Sequence, residues 1–456
     1  MHRLAVIGLA LAASFALAGA GLAPSAAAEP DRQELIDKAT ALFSRDVEER
    51  GAAIVYFIER RNPDAIAALI FAHRYTNDPR AAAALTIITG DTDRTTWFDW
   101  MLWQEAHPEI APFDGFDAVH ATVHERIDPN FQLFLRAGNK HEIRIEEIVW
   151  GGVKKDGIPA LTNPRFLAAG DAGYLNDIDL VFGVSINGDA RAYPLRILDW
   201  HEMFNDTVGG VPVSLAYCTL CGSGILFETA IDGYPQPLIF GSSGFLFRSN
   251  KLMYDTYTHS LWNQFTGRPV VGPLTGSGIE LKTRPVVITR WADWRRDNPE
   301  TLVLDVDTGY PRDYAPGAAY ENYFGSPDLM FPALVDQSEL KQKSFVFALR
   351  AAPVEKAWPL KLFEGGAVIN DTAGVLSLVL IGDDMSRTVR AYRSDDLVFE
   401  KGADLTEVVA DGETWRVTED ALVAPDGHTL PRLPGHVAYW FAWSGYFGAE
   451  GEVGGE

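Results

Sequence analysis

Apolar positions between residues 31 and about 139 recur at helical spacing, and the spacing changes beyond that point. Segments 50–61 and 63–73 place Ala, Ile, Leu and Phe every third or fourth residue, which predicts amphipathic helices. Asn62-Pro63, Asn77-Asp78-Pro79 and Gly90-Asp91 interrupt them with residues that cap and stop helices, so antiparallel helical hairpins are expected. Trp97, Phe98, Trp100 and Trp103 read as a packing face. From about His141 onward the apolar runs are short and bounded by Gly, Pro, Asn and Asp: 180–186, 211–217, 225–229, 238–240 and 286–289. Such runs predict strands. One further helix is expected from Pro194, whose ring suits a first turn, to Gly209 as its stop. Segment 291–342, rich in Tyr, Pro, Asp and Gly, reads as a connecting loop.

The strand-rich part repeats itself. Residues 181–218 return without a gap, 165 positions later, as residues 346–383. Ala192-Tyr193-Pro194-Leu195-Arg196 becomes Ala357-Trp358-Pro359-Leu360-Lys361, and Asn205-Asp206-Thr207-Val208-Gly209 becomes Asn370-Asp371-Thr372-Ala373-Gly374. His201, Glu202, Cys218 and Cys221 are replaced by Gly366, Ala367, Asp383 and Ser386. A repeated unit has to keep what folds it, whereas chemistry can reside in one copy. The expected fold is therefore α+β: a helical N-terminal domain (29–140), a first β-rich unit (141–340) and a second, degenerate β-rich unit (341–447), related by an internal repeat. A disordered tail (448–456) follows.

The residues found only in the first copy are the candidates for chemistry. Cys218-Thr219-Leu220-Cys221-Gly222 lies between two β-type runs, at the tip of a strand–loop–strand unit. Glycine there permits the tight turn of a metal knuckle, and the same spacing also serves a redox dithiol. A purely structural disulfide is the third reading, although closing so short a loop removes only about 2 kcal/mol of unfolded-state freedom. His201 is the first candidate for a further ligand and Glu202 for a general acid or base, with exposure on a helix expected for the latter. Trp200-His201-Glu202-Met203-Phe204-Asn205 is not a zinc-protease helix, because Asn205 stands where the second histidine belongs. Met253 and His259 have no counterpart in the second copy. Two thiolates with an imidazole and a thioether suit copper, and two thiolates with two imidazoles suit zinc or iron.

Residues 1–28 carry the marks of an export signal: His2 and Arg3, an apolar run from Leu4 to Ala23, then Ala26-Ala27-Ala28. A periplasmic or secreted protein is expected, with no membrane contact after cleavage. The net charge of −23 disfavours phosphate backbones and anionic headgroups, so no nucleic-acid partner is expected. A protein partner, if there is one, is assigned to the helical domain.

Several motifs together resemble one bacterial and archaeal family, domain of unknown function 3179. They are Asp156-Gly157-Ile158-Pro159-Ala160-Leu161, Arg191-Ala192-Tyr193-Pro194, His201-Glu202 with Asn205-Asp206, and Tyr217-Cys218-Thr219-Leu220-Cys221-Gly222-Ser223. Ser243-Gly244, Met253-Tyr254-Asp255, Ser260-Leu261-Trp262 with Gln264, and Trp440-Phe441-Ala442-Trp443 complete the set. The resemblance spans about residues 150–447, and Thr219 stands where the family usually has proline. It implies no established reaction. Some members are described as selenoprotein candidates, which implies redox or soft-metal use of the cysteine loop. The leading expectation is soft-metal binding or metal-assisted redox chemistry by Cys218, Cys221, His201 and Met253 or His259. The alternatives are a metal-free thiol–disulfide oxidoreductase and an interaction module with a structural disulfide.

Overall fold

The computed structural model describes residues 31–351, 354–448 and 451–455. The export signal expected at 1–28 lies outside the described residues. The chain is α+β, with helices first and a β-rich remainder.

Six helices open the described chain: α1 (Arg32–Ala41), α2 (Val47–Arg60), α3 (Ile66–Thr76), α4 (Pro79–Thr89), α5 (Trp97–Ala106) and α6 (Phe116–Glu125). The ends of α2, α3 and α4 fall at or next to the expected breakers. The Asp46 and Asp78 carboxylates accept from the first free N–H groups of α2 and α4, and Thr96 with Asp99 forms a reciprocal capping box on α5. Asn77 and Gly90 close α3 and α4 in the left-handed conformation. Trp100 and Trp103 are buried, as a packing face requires.

This helical layer shares its core with the first β-rich unit. Phe131 and His124 pack on Phe245 at 4.4 and 5.2 Å between ring centroids, and Phe134 packs on Tyr254 at 4.9 Å. Polar contacts join the same layers: Arg74 donates to the Trp150 carbonyl and Gln104 to the Glu146 carbonyl. The receiving sheet runs in the order Ile148–Trp150, Phe240–Phe247, Asn250–Asp255, Leu261–Asn263, Arg268–Val271. A second sheet runs Thr283–Arg284, Ser223–Glu228, Val211–Cys218, Met203–Val208, Leu161–Thr162. A third is built on the hairpin Leu180–Ile186 and Asp189–Pro194.

The helix expected from Pro194 to Gly209 is shorter. Helix α7 (Leu195–His201) stops at Glu202, which is left-handed at φ +56°, and Met203–Val208 is a strand. Gly209 and Gly210 both have positive φ and turn that strand back into Val211–Cys218. Their glycine signal is that of a two-residue hairpin, not of a helix stop. Asn205-Asp206 accordingly sits within the strand. The Asn205 side chain exchanges two hydrogen bonds with the Phe240 backbone, at 2.8 and 2.9 Å, and so ties the second sheet to the first.

Beyond the connecting segment, which itself holds the short helices Trp291–Asp297 and Glu321–Gly325, lies a second β-rich region. Phe345–Ala351 and Val354–Pro359 form a hairpin, and Ala367–Ala373, Leu376–Asp383 and Thr388–Arg393 form successive antiparallel strands of an eight-stranded sheet. Within the tail expected to be disordered, Glu452–Val453 pairs with Lys356–Ala357. Among the described residues no helix is long and apolar enough to cross a membrane.

The connecting segment is pinned to α5 by Glu105, a buried carboxyl that accepts from the Leu334 N–H at 2.6 Å. Burial raises its pKa to about 8; Glu147 adds to the rise, while Leu334, Arg248 and Arg144 oppose it. The folded chain thus binds a proton that the unfolded chain releases near 4.5. Stability from this group must fall as pH rises from there to about 8, and its full cost applies above that value. Glu105→Gln is expected to raise the urea midpoint at pH 9 and to change it little at pH 4. Equal effects at both pH values would contradict the assignment.

Candidate functional site

Strand Val211–Cys218 pairs in register with Ser223–Glu228, leaving Thr219–Gly222 as the tip of a tight hairpin. The expected strand–loop–strand unit is therefore present, and Cys218 and Cys221 are joined as a disulfide. Gly222 has φ +60°, and a Cβ there would come within 3.0–3.2 Å of the Phe345 and Tyr439 rings. Both cysteines are sealed from solvent, at 3% and 0% exposure.

A hairpin tip in this position has backbone carbonyls that water cannot reach, and those of Leu220 and Cys221 find donors elsewhere in the chain. Gln264 Nε2 donates to Ala216 O and Ser223 O at 2.9 and 3.0 Å, clamping the base of the hairpin. The Tyr323 hydroxyl donates to Leu220 O at 2.7 Å, and Tyr439 N–H to Cys221 O at 2.8 Å. Tyr323 is held in turn by the Lys343 ammonium, 3.7 Å from its ring centroid. The site is thus closed by residues from the first unit, the connecting segment and the second β-rich region.

Charged groups lie against the same tip. Glu202, expected on an exposed helix face, is buried at 8% exposure, because α7 ends under it and turns its side chain inward. Its Oε2 meets Lys251 Nζ at 2.5 Å, and its Oε1 accepts from the Thr219 hydroxyl, inside the Cys-x-x-Cys loop, at 3.2 Å. Asp199, from α7, accepts from the Tyr217 hydroxyl at 3.1 Å, one residue before Cys218. Burial pushes the Asp199 carboxyl up to about 7 against the opposing hydrogen bond from Tyr217 and the charge of Arg387. The tip therefore adjoins one fixed ion pair and one acid that changes charge near neutral pH.

The remaining candidates are placed elsewhere. His201 is fully buried and spends both ring nitrogens: Nδ1 lies 2.8 Å from the Pro159 carbonyl and Nε2 2.6 Å from the Tyr314 hydroxyl. A carbonyl can only accept, so Nδ1 carries the proton and Nε2 accepts from Tyr314. Burial holds the imidazole pKa below its usual value. Tyr314 continues to Thr308 at 2.6 Å, and Thr308 lines an open cleft of about 530 Å³ with Arg165, Asp305 and Tyr310. Met253 is a fully buried strand residue opposite Trp262. His259 occupies a tight turn at φ +58°, organised by Asp255, which also accepts from the Trp262 indole at 2.8 Å. Among the described residues, no group of three or more His, Cys, Asp or Glu is placed to hold a metal ion.

Sequence reasoning missed Asp199, Lys251, Gln264 as a clamp, and Tyr323. Lys251 had a signal, since a lysine in the run Asn250–Asp255, otherwise rich in apolar residues, needs a buried counter-charge. Tyr323 had none, because its contact lies 103 residues away in the chain.

The model of the family described as "Protein of unknown function (DUF3179)" matches residues 155–450, most of the chain, which therefore belongs to that family. No curated protein and no solved structure matches it. The matched span contains the hairpin, its clamp and its cover, and leaves the six N-terminal helices outside.

Removing one member of the buried ion pair leaves the other charge unpaired. Lys251→Met is expected to lower stability by about 3–5 kcal/mol, and Lys251→Met with Glu202→Gln to recover much of that loss. Urea unfolding of the two single variants and the double variant checks the coupling, and simple additivity would contradict it.

Proposed function

We propose that this DUF3179 member is an exported thiol–disulfide redox protein whose reacting group is the Cys218–Cys221 disulfide. One observation carries the reading: the chain's two cysteines are bonded to each other at a hairpin tip whose intervening Thr219 is tied to the Glu202–Lys251 pair. So short a bridge contributes little to stability in a chain of this size, whereas it suits reversible opening and closing. The reductant is a dithiol of a partner protein. Its thiolate attacks Sγ of Cys218, the less buried of the two cysteines, the S–S bond breaks, and the electron pair leaves on Cys221. The partner's second thiolate then attacks the mixed disulfide and releases Cys218, so two electrons and two protons pass to the hairpin. Asp199, with a pKa of about 7, holds or releases a proton beside the strand that carries Cys218. The Tyr323 segment must swing aside for the partner to enter.

The copper, zinc or iron reading would need the reduced cysteines and a third ligand. His201 is already committed to Pro159 and Tyr314, which favours the metal-free couple. Equilibration of the protein with glutathione or dithiothreitol, followed by thiol counting, tests the proposal. A reversible two-electron couple at about −120 to −270 mV is expected, lost in Cys221→Ser, with metal content at background in the reduced form. Asp199→Asn should keep the fold and lose an inflection near pH 7 in the reduction rate. A potential below about −300 mV would make the bridge structural.

We infer further that the two β-rich units derive from one repeated unit. Asp206 accepts from the Tyr193 hydroxyl and the Arg191 guanidinium, each at 2.6 Å, and Asp371 from the Trp358 indole and the Lys356 ammonium at 2.7 and 3.1 Å. Asn370 exchanges two hydrogen bonds with the Phe399 backbone, as Asn205 does with that of Phe240. If this framework is common, Asp206→Ala and Asp371→Ala should each lower stability by about 2–4 kcal/mol. A loss at one position only, read by chemical denaturation, would argue against it.

A further inference from the structure

The second unit's hairpin tip, residues 383–388, is not sealed. It faces a cleft of about 450 Å³, whose far wall is Arg290 and the helix Trp291–Asp297 of the first unit. Asp383 and Ser386, which stand at the positions of Cys218 and Cys221, line this cleft, as does Gly366, which stands at the position of His201. Gly366 has φ +82°, and a Cβ there would lie 3.1 Å from Lys401 Nζ. Its lack of a side chain lets the Lys401 ammonium settle on the Gly365 and Gly366 carbonyls.

The charges around this cleft are unevenly spent. Arg390 is bound to Glu419, and Arg296 to Asp293 and Asp297. Among the described residues the Arg290 side chain has no hydrogen-bond or ion-pair partner, and Lys401 has only the two carbonyls. On the acidic side, Asp383 accepts from Ser386 through Oδ2 alone, and Asp404 from Thr406 through Oδ1 alone. Neither carboxylate is within 4.0 Å of Arg290 or Lys401, and Asp293, which meets Arg296 through Oδ1 alone, adds a third unspent carboxylate oxygen, so unspent groups of both signs line one cleft. Thr388 lies at its wall, 6% exposed, with a hydroxyl that has no partner. A dianion such as phosphate would meet the repulsion of Asp383 and Asp404, and a cation that of Arg290 and Lys401. A molecule carrying both charges satisfies both sides.

We propose that this cleft binds a small zwitterion of the α-amino-acid class, its carboxylate on Arg290 and Lys401 and its ammonium on Asp383 and Asp404. The volume suits a ligand of this kind. The proposal does not depend on the redox reading, since no residue of the cleft belongs to the Cys218–Cys221 site. The test is calorimetric titration of the full chain with L-alanine, L-leucine and L-glutamine, alongside propionate, ethylamine and inorganic phosphate. At least one amino acid is expected to bind about tenfold more tightly than propionate or ethylamine, since each of those loses one of the two charge contacts. Arg290→Gln and Asp404→Asn should each weaken that binding about tenfold or more, with circular dichroism and the cysteine couple unchanged, and Arg290→Lys should recover part of it. Tighter binding of phosphate than of any amino acid, or no binding by any of the three amino acids, would overturn the proposal.

Discussion

A hairpin tip removed from water cannot leave its carbonyl groups without donors, because each unsatisfied group costs about 1–3 kcal/mol. The tip at Thr219–Gly222 meets this constraint with donors drawn from widely separated parts of the chain. Gln264 clamps its base, Tyr323 serves Leu220 and Tyr439 serves Cys221. The connecting segment and the second β-rich region are thereby fixed on the first unit. The Phe345 and Tyr439 rings, stacked with centroids 4.4 Å apart, fill the space that Gly222 leaves open.

Closure also sets the electrostatics. A low-dielectric tip admits a charge only if it is paired, and Glu202 is paired with Lys251. Asp199 has a tyrosine hydroxyl instead of a cation in contact, so burial dominates and brings its titration to about pH 7. Two carboxylates of the same short stretch, three residues apart, thus acquire different roles from their surroundings alone. The six N-terminal helices act at one remove: they bury Phe245 and hold Leu334 through Glu105, which steadies the segment carrying Tyr323.

Much of this was legible in the sequence where the determinant is local. The asparagine, aspartate and glycine punctuation at 62–63, 77–79 and 90–91 fell where helices are capped or stopped, and the Cys-x-x-Cys-Gly loop formed the expected tight turn. Asp206 and Asp371 were read as framework, and each accepts two side-chain partners from its own neighbouring strand. What was not legible depends on partners far along the chain. Glu202 read as an exposed helix residue because Lys251 is 49 positions away, and only the fold brings them together. Gly209 suggested a helix stop, and the same glycine signal proved to be a hairpin turn, in which residues 203–208 pair antiparallel with 211–216. His201 was singled out as a candidate ligand, and the contacts it makes are with Pro159 and Tyr314.

If the bridge is redox-active as proposed, it reacts by local opening of its cover and not by unfolding of the protein. The rate of its reduction by excess dithiothreitol, followed against urea concentration, measures this directly. The rate is expected to be nearly independent of urea below the unfolding transition, and to rise in Tyr323→Phe, where the hydroxyl holding Leu220 is gone. A rate that follows global unfolding at every urea concentration, with no change in Tyr323→Phe, would contradict it.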